Sequence, residues 1–119
     1  LSKSQQNILS HPQYHCDAIL EDNTFCGILF SWEIGSLTYI EHFAVSPSLR
    51  GQGTGKKLLW EAEKEAEKRN CKYVFLDTFS FQAPEFYKKY GYQEQFALEN
   101  YPLTGKRYYY TKSLTHAAE

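Results

Sequence analysis

The stretch that most limits the possible folds is residues 45 to 68, VSPSLRGQGTGKKLLWEAEKEAEK. The apolar side chains in its second half recur at i, i+3, i+4 spacing, which predicts a helix from Gly53 to about Arg69. They are Leu58, Leu59, Ala62 and Ala66. Strand-like runs, LTYIEHFAV (37–45) and KYVFLDTF (72–79), flank this helix. A strand–helix–strand crossover makes its two strands parallel, so the pattern requires a sheet with at least one parallel pair.

The remaining patterns add antiparallel strands and a second helix. YHCDAIL (14–20) and FCGILFSWEI (25–34) predict a hairpin around the turn EDNT. APEFYKKYG predicts a short helix that stops at Gly91. Strands follow at 92–99 and 106–114, while residues 1 to 13 predict a short helix or a loose lead. We therefore expect one domain over residues 1–119, of α/β (α+β) class, with helices on a mixed sheet.

Composition excludes several classes of function. The formal net charge is −1, which gives no basic excess for nucleic acid or for an anionic membrane surface. No apolar run is long enough to span a bilayer. The three cysteines have no CxxC spacing, so we expect a reduced, cytoplasmic setting without a zinc site. His11 and His15 are four residues apart, but Pro12 argues against a continuous helix, and we expect no metal.

The glycine loop RGQGTGKK (50–57) has the composition of an anion cradle. Glycines allow close approach to the backbone, and a helix N-terminus presents unpaired amides with partial positive charge. A tight strand-to-helix turn that binds nothing would have a similar composition. The P-loop pattern fails because GK comes one residue too early. The dinucleotide pattern GxGxxG fails because Lys56 stands at the third glycine position.

The pattern that fits is Arg-x-x-Gly-x-Gly, formed by Arg50, Gly53 and Gly55 after a strand and before a long helix. It resembles the acetyl-CoA motif of the GCN5-related N-acetyltransferase (GNAT) superfamily. FYKKYGY (86–92) is similar to a later family element, in which a helix lies beside the cofactor. The resemblance implies the GNAT fold, a mostly antiparallel mixed sheet with a central parallel pair flanked by helices. It departs at the N-terminus, where family members have a strand and one or two helices before the hairpin.

The resemblance implies N-acetyl transfer from acetyl-CoA to a primary amine. Tyr87 matches the family tyrosine that acts as general acid toward the cofactor sulfur. Glu41 is our candidate for the proton acceptor, directly or through water, and Glu33 is its rival. In a regular strand Tyr39, Glu41, Phe43 and Val45 share one face and His42 points away. A non-catalytic acyl-CoA-binding module is the alternative reading of the same motifs.

The family places the cofactor pyrophosphate on the loop amides and its pantetheine arm on the preceding strand. The residues implied to contact acetyl-CoA are Phe43, Ala44, Val45, Arg50, Gly51, Gln52, Gly53, Thr54, Gly55 and Lys56, with Ser80 and Gln82 as further candidates. Asp77 and Thr78 end the buried strand, and either lining of the site or capping would explain them.

The acceptor is less constrained by the sequence than the cofactor. Its predicted walls are Trp32, Glu33, Tyr39, Phe79 and Tyr101. Aromatic faces with carboxylates suit a cationic amine, and we expect a small molecule, with a protein N-terminus or lysine as the alternative. Many relatives pair through C-terminal strands, so RYYYTKSL (107–114) could provide an edge for a homodimer.

Overall fold

The computed structural model describes residues 2–3, 12–101 and 103–114, and their strands form one six-stranded mixed sheet. The strands are β1 (Gln13–Glu21), β2 (Thr24–Ile34), β3 (Leu37–Val45), β4 (Tyr73–Phe79), β5 (Gln93–Glu99) and β6 (Lys106–Ser113). The helices are α1 (Thr54–Lys68) and α2 (Glu85–Lys89), with short 3-10 turns at Pro47–Leu49 and Ser80–Gln82. The strand order β1-β2-β3-β4-β6-β5 confirms the predicted mixed sheet. The predicted N-terminal helix or lead lies almost wholly outside the described residues.

Tight turns account for the antiparallel half of the sheet. Asp22 and Asn23 both have positive φ, 51° and 63°, as a two-residue hairpin turn between β1 and β2 requires. Gly35 has φ of 58° in the turn between β2 and β3. Asparagine, aspartate and glycine tolerate this left-handed region, so the local sequence determines both hairpins.

Helix α1 crosses from β3 to β4 and makes these two strands parallel, as the sequence predicted. Its predicted apolar residues are all buried. Leu59, Ala62 and Ala66 join the main core, which also contains Leu29, Ile40 and Leu76. The helix ends where Asn70 takes a left-handed φ of 68° and the Cys71 amide donates to the Ala66 carbonyl at 3.0 Å. This is the asparagine form of a helix C-terminal cap.

Strand β6 lies inside the sheet, between β4 and β5. It pairs antiparallel with both neighbours, so the prediction that RYYYTKSL provides a free edge is wrong. Tyrosines favour strands at any position, and the run carried no information about which neighbours would pair with it. Within the described residues the edge strands are β1 and β5.

Glu33 faces α1 rather than the side of the sheet that carries Trp32 and Tyr39. Its carboxylate accepts hydrogen bonds from Arg69 at the C-terminal end of α1 and from the Cys71 thiol, and pairs with His15 at 2.7 Å. Burial would raise the pKa of Glu33, but these three partners together hold it below its ordinary value. These bonds occupy the Glu33 carboxylate on the helix side of the sheet, a geometry that argues against both predictions for Glu33, as acceptor wall and as rival base.

Candidate active site

A cleft opens where the parallel strands β3 and β4 separate. Their pairing stops at Ile40 and Leu76. Beyond this point β3 continues against β2 as far as Val45, and β4 continues against β6 as far as Phe79. The two edges that face each other across the gap have no ladder partner among the described residues. Extended backbone with free donors and acceptors can pair with an elongated polar ligand.

A β-bulge at Glu41 lies at the beginning of this cleft. Phe30 pairs with His42 and Ser31 with Ile40, so Glu41 is the extra residue on β3. The bulge shifts the side-chain alternation: Phe43 packs toward the helices, whereas Tyr39 lies on the opposite face against Trp32. The prediction that Tyr39, Glu41, Phe43 and Val45 share one face is therefore wrong.

The bulge also brings Glu41 and His42 together, although a regular strand would point them apart. Glu41 Oε1 lies 3.9 Å from His42 Nε2, and about half of the glutamate side chain (49%) is exposed. Solvent reaches this carboxylate, and among the described residues no strong hydrogen bond occupies its oxygens.

The glycine loop joins the end of β3 to the start of α1. Gly51 and Gly53 have φ of 83° and 84°, a conformation that favours glycine. Gly55 differs, because it lies in the first turn of α1, where an added Cβ would lie 3.4 Å from the Phe86 ring and 3.5 Å from Val45. Gly51 and Gly53 therefore shape the turn, whereas a Cβ at Gly55 would make contacts at about the ordinary van der Waals distance.

The start of α1 has amides that precede the first helical hydrogen bond. The Lys57 amide makes the first helical backbone bond, to the Gly53 carbonyl at 3.0 Å, so the amides of Thr54, Gly55 and Lys56 precede the bonded part. In the described part of the chain no side chain caps the helix at Gly53. These amides and the helix dipole form a site with the chemistry that an anion needs.

The polar side chains predicted to contact the cofactor fall into two groups. Arg50 and Lys56 are exposed beside the helix start. Ser80 Oγ accepts from the Lys106 amide at 3.2 Å, and Gln82 Oε1 accepts from the Phe79 amide at 3.0 Å. Ser80 and Gln82 therefore stabilise local turns in this structure.

Tyr87 covers the helix-side face of the cleft. Its ring contacts Phe43 on β3 and Tyr110 on β6, with centroids 6.3 and 6.1 Å away, and so spans the gap between the separated strands. Burial, together with the charge of Asp77, raises the pKa of Tyr87 to about 12. At neutral pH the hydroxyl is protonated and able to donate.

Aromatic rings cross the opposite face of the sheet, one strand after another. Trp32 contacts Tyr39 at 5.2 Å, Tyr39 contacts Phe75 at 5.6 Å, and Phe75 stacks on Tyr109 at 5.9 Å. Near the end of β4, Phe79 stacks on Phe81 and Tyr101 with interplanar angles of 7° and 5°. The structure thus brings four predicted acceptor residues, Trp32, Tyr39, Phe79 and Tyr101, to one face.

A polar cluster on this aromatic face was not predicted from the sequence. Asp77 Oδ2 accepts from Arg107 Nε at 2.8 Å and Nη2 at 2.7 Å, while Asp77 Oδ1 accepts from the Tyr39 hydroxyl at 2.5 Å. The guanidinium also lies 5.2 to 5.4 Å from the ring centres of Phe79, Tyr101 and Tyr109. Only the strand order reveals this cluster, since Asp77 and Arg107 are thirty residues apart.

Two binding features are absent from the part of the structure that is described. Across residues 2–3, 12–101 and 103–114, no three His, Cys, Asp or Glu side chains converge so that they could hold a metal ion. No helix in these ranges is long and apolar enough to cross a membrane.

Comparisons with known proteins agree with this geometry. Residues 2–92 match the acetyltransferase (GNAT) family. An acetyltransferase of Agrobacterium fabrum is 36% identical over 72 residues, which cover 60% of this chain and 53% of that protein. The blasticidin-S acetyltransferase of Streptomyces morookaense is 34% identical over 65 residues, covering 54% of this chain and 48% of that protein.

A solved structure extends the similarity over nearly the whole chain. The crystal structure of an acetyltransferase from Bacillus cereus superposes with a TM-score of 0.86 and 29% identity, covering 95% of this chain and 79% of that one. By contrast, the chain spans about half the length of the two curated relatives that it matches.

Proposed function

Because the chain belongs to the acetyltransferase (GNAT) family, we propose that it transfers the acetyl group of acetyl-CoA to a primary amine. The observation that carries the proposal is the cleft between β3 and β4, with the glycine loop at one end and Tyr87 across its helix-side face. An elongated ligand with an anionic middle and a reactive end fits this arrangement.

The loop holds the pyrophosphate of acetyl-CoA. The amides of Gly51 and of residues 53–56 and the dipole of α1 supply hydrogen bonds and positive potential, and the side chains of Arg50 and Lys56 add charge. The Gln52 amide already donates to the Leu49 carbonyl at 3.3 Å, so Gln52 is the weaker candidate in the loop. The pantetheine arm runs along β3, where the backbone of Phe43, Ala44 and Val45 pairs with its amides. Ser80 and Gln82 contribute through the nearby turn, although their polar side-chain atoms already have local partners.

Two of the proton transfers that the reaction needs define the roles that we propose for Glu41 and Tyr87. An aliphatic amine with a pKa near 10.4 is neutral in only about one molecule in a few thousand at pH 7, a deficit of roughly 4 to 5 kcal/mol. Glu41, directly or through water, takes one proton from the ammonium, and the neutral nitrogen then attacks the thioester carbon and loses its second proton to solvent as the amide forms. As the carbon–sulfur bond breaks, the Tyr87 hydroxyl donates its proton to the leaving sulfur.

The acceptor approaches from the aromatic face. Trp32, Tyr39, Phe79 and Tyr101 form an aromatic wall for a cationic amine. The Arg107 guanidinium already lies 5.4 Å from the ring centres of Phe79 and Tyr101, so the amine would meet this wall beside Arg107. Asp77 is a poor candidate for the base, because Arg107 and Tyr39 occupy both of its oxygens. We propose a small-molecule acceptor, a choice that the name of the similar blasticidin-S acetyltransferase supports.

Turnover tests this function directly. The protein is incubated with acetyl-CoA and separate panels of small amines, N-terminal peptides and lysine peptides, while free CoA thiol and product mass are measured. We expect thiol release that depends on an amine, with an equal amount of N-acetylated product from the small-amine panel. If acetyl-CoA binds but no panel yields product, the chain is an acyl-CoA-binding module rather than an enzyme.

A further inference from the structure

We propose that the hydrogen bond from Tyr39 to Asp77, held in place by Arg107, limits the acyl group that the cleft accepts to a short chain. The inference rests on the proposed function, because it concerns the acyl end of the same bound thioester. It assigns Tyr39 and Asp77 a role in donor selection, in which Arg107 acts as a positioning residue.

The position of this bond relative to the cleft is the first argument. Tyr39 stands one residue before the last paired position of β3, and Asp77 is the first residue of β4 beyond the pairing. Their hydrogen bond therefore joins the two strands at the point where they begin to separate. From Val45 back to Ile40 the strand extends about 16 Å at 3.2 to 3.4 Å per residue. The bulge at Glu41 shortens this span somewhat. In the binding mode proposed above, the acyl end of the arm points along β3 toward this bond.

The rigidity of the bond is the second argument. Asp77 is only 12% exposed at its side chain, and both carboxylate oxygens have donors. Burial, and then the bond to Asp77, raises the pKa of Tyr39 to about 12, so its hydroxyl stays protonated and keeps donating. The Tyr39 ring is fixed between Trp32 and Phe75. A longer acyl chain cannot pass this point without displacing a fully bonded cluster.

Donor selectivity is the expected consequence. A pocket that is too short by one methylene discriminates by roughly 10- to 200-fold. Butyryl-CoA carries two methylenes more than acetyl-CoA, so we expect the wild-type protein to bind it at least about tenfold more weakly. Free CoA has no acyl group, and its affinity should not depend on the cluster.

The test uses binding, so it needs no identified acceptor. CoA, acetyl-CoA and butyryl-CoA are titrated by calorimetry into the wild type and into Tyr39→Phe and Asp77→Asn. Tyr39→Phe removes the donor hydroxyl but keeps the ring between its neighbours. Asp77→Asn keeps the shape of the side chain but removes the charge that holds Arg107. Tyr73→Phe is the matched control, since Tyr73 is an exposed tyrosine on β4, the strand of Asp77, and lies outside the cluster.

In the two cluster variants, the ratio of the Kd for butyryl-CoA to the Kd for acetyl-CoA should fall to about threefold or less, and the Kd for CoA should not change. Tyr73→Phe should behave as the wild type. A wild type that binds both acyl donors equally would overturn the inference. A Kd ratio that stays at the wild-type value in both variants would also overturn the inference. An equal loss of affinity for all three ligands would overturn it too, because it would indicate a merely structural role for the cluster. If the wild type binds none of the three, the proposed function fails together with this inference.

Discussion

Replacing Tyr87 by phenylalanine should lower kcat by on the order of a hundredfold or more and leave the affinity for acetyl-CoA nearly unchanged. General acid catalysis typically contributes a factor of about 10² to 10⁴. The ring packs against Phe43, Phe86, Tyr92 and Tyr110, and phenylalanine preserves these contacts. Measuring kcat by thiol release and Kd by titration separates loss of the proton donor from loss of binding.

The pH profile gives the same assignment a second test. The raised pKa of Tyr87, about 12, means that its acidic form persists through neutral pH and is lost only as the pH approaches 12. The wild-type rate should therefore rise with pH as the amine deprotonates, without a decline below about pH 10.

Tyr90→Phe is the matched control for Tyr87→Phe, because Tyr90 packs on Phe86 at the end of the same helix. Equal losses in the two variants would contradict the acid role.

Replacing Gly53 by aspartate should weaken acetyl-CoA binding by about 10- to 100-fold, or about 1.4 to 2.8 kcal/mol. The new carboxylate would stand at the open start of α1, where the proposed pyrophosphate binds, and would repel it. Nothing lies within 4 Å of a Cβ built at Gly53, so steric collision does not explain the loss. Titration calorimetry with acetyl-CoA at low and at moderate salt measures the effect.

Two variants isolate the charge from the strain of the backbone. Gly53→Asn has the same shape as Gly53→Asp and tolerates the left-handed φ comparably, so it should keep most of the affinity. Gly35→Asp places the same charge at another left-handed glycine, φ 58°, in the turn between β2 and β3. If Gly53→Asn loses as much affinity as Gly53→Asp, the loop shape rather than anion binding is responsible.

Local signals in the sequence were sufficient for the elements of this fold. The spacing of apolar residues located α1, the turn EDNT located the hairpin of β1 and β2, and the crossover determined the parallel pair. The Arg-x-x-Gly-x-Gly pattern located the loop. Of the two glycines in the pattern, Gly53 has positive φ and Gly55 lies in the first turn of α1, while Gly51 adds a second positive φ to the loop.

Features that depend on contacts between residues far apart in the chain could not be predicted from the sequence. The bulge at Glu41 interrupts the alternation of side chains along β3, and the segment IEHF contains no glycine that would indicate a bulge. Glu33 looked like an available carboxylate until Arg69, Cys71 and His15 were found around it. Likewise, the strand order alone brings Arg107 to Asp77, because β6 rather than β5 pairs with β4.

The central claim is that acetyl-CoA lies in the cleft between β3 and β4 with its pyrophosphate on the glycine loop. Amide hydrogen exchange followed by mass spectrometry, with and without saturating acetyl-CoA, tests it most directly. We expect slower exchange in residues 41–45 and 53–56, where backbone amides gain ligand partners, and no change in β5. Protection confined to other segments, or no protection at saturation, would contradict the account.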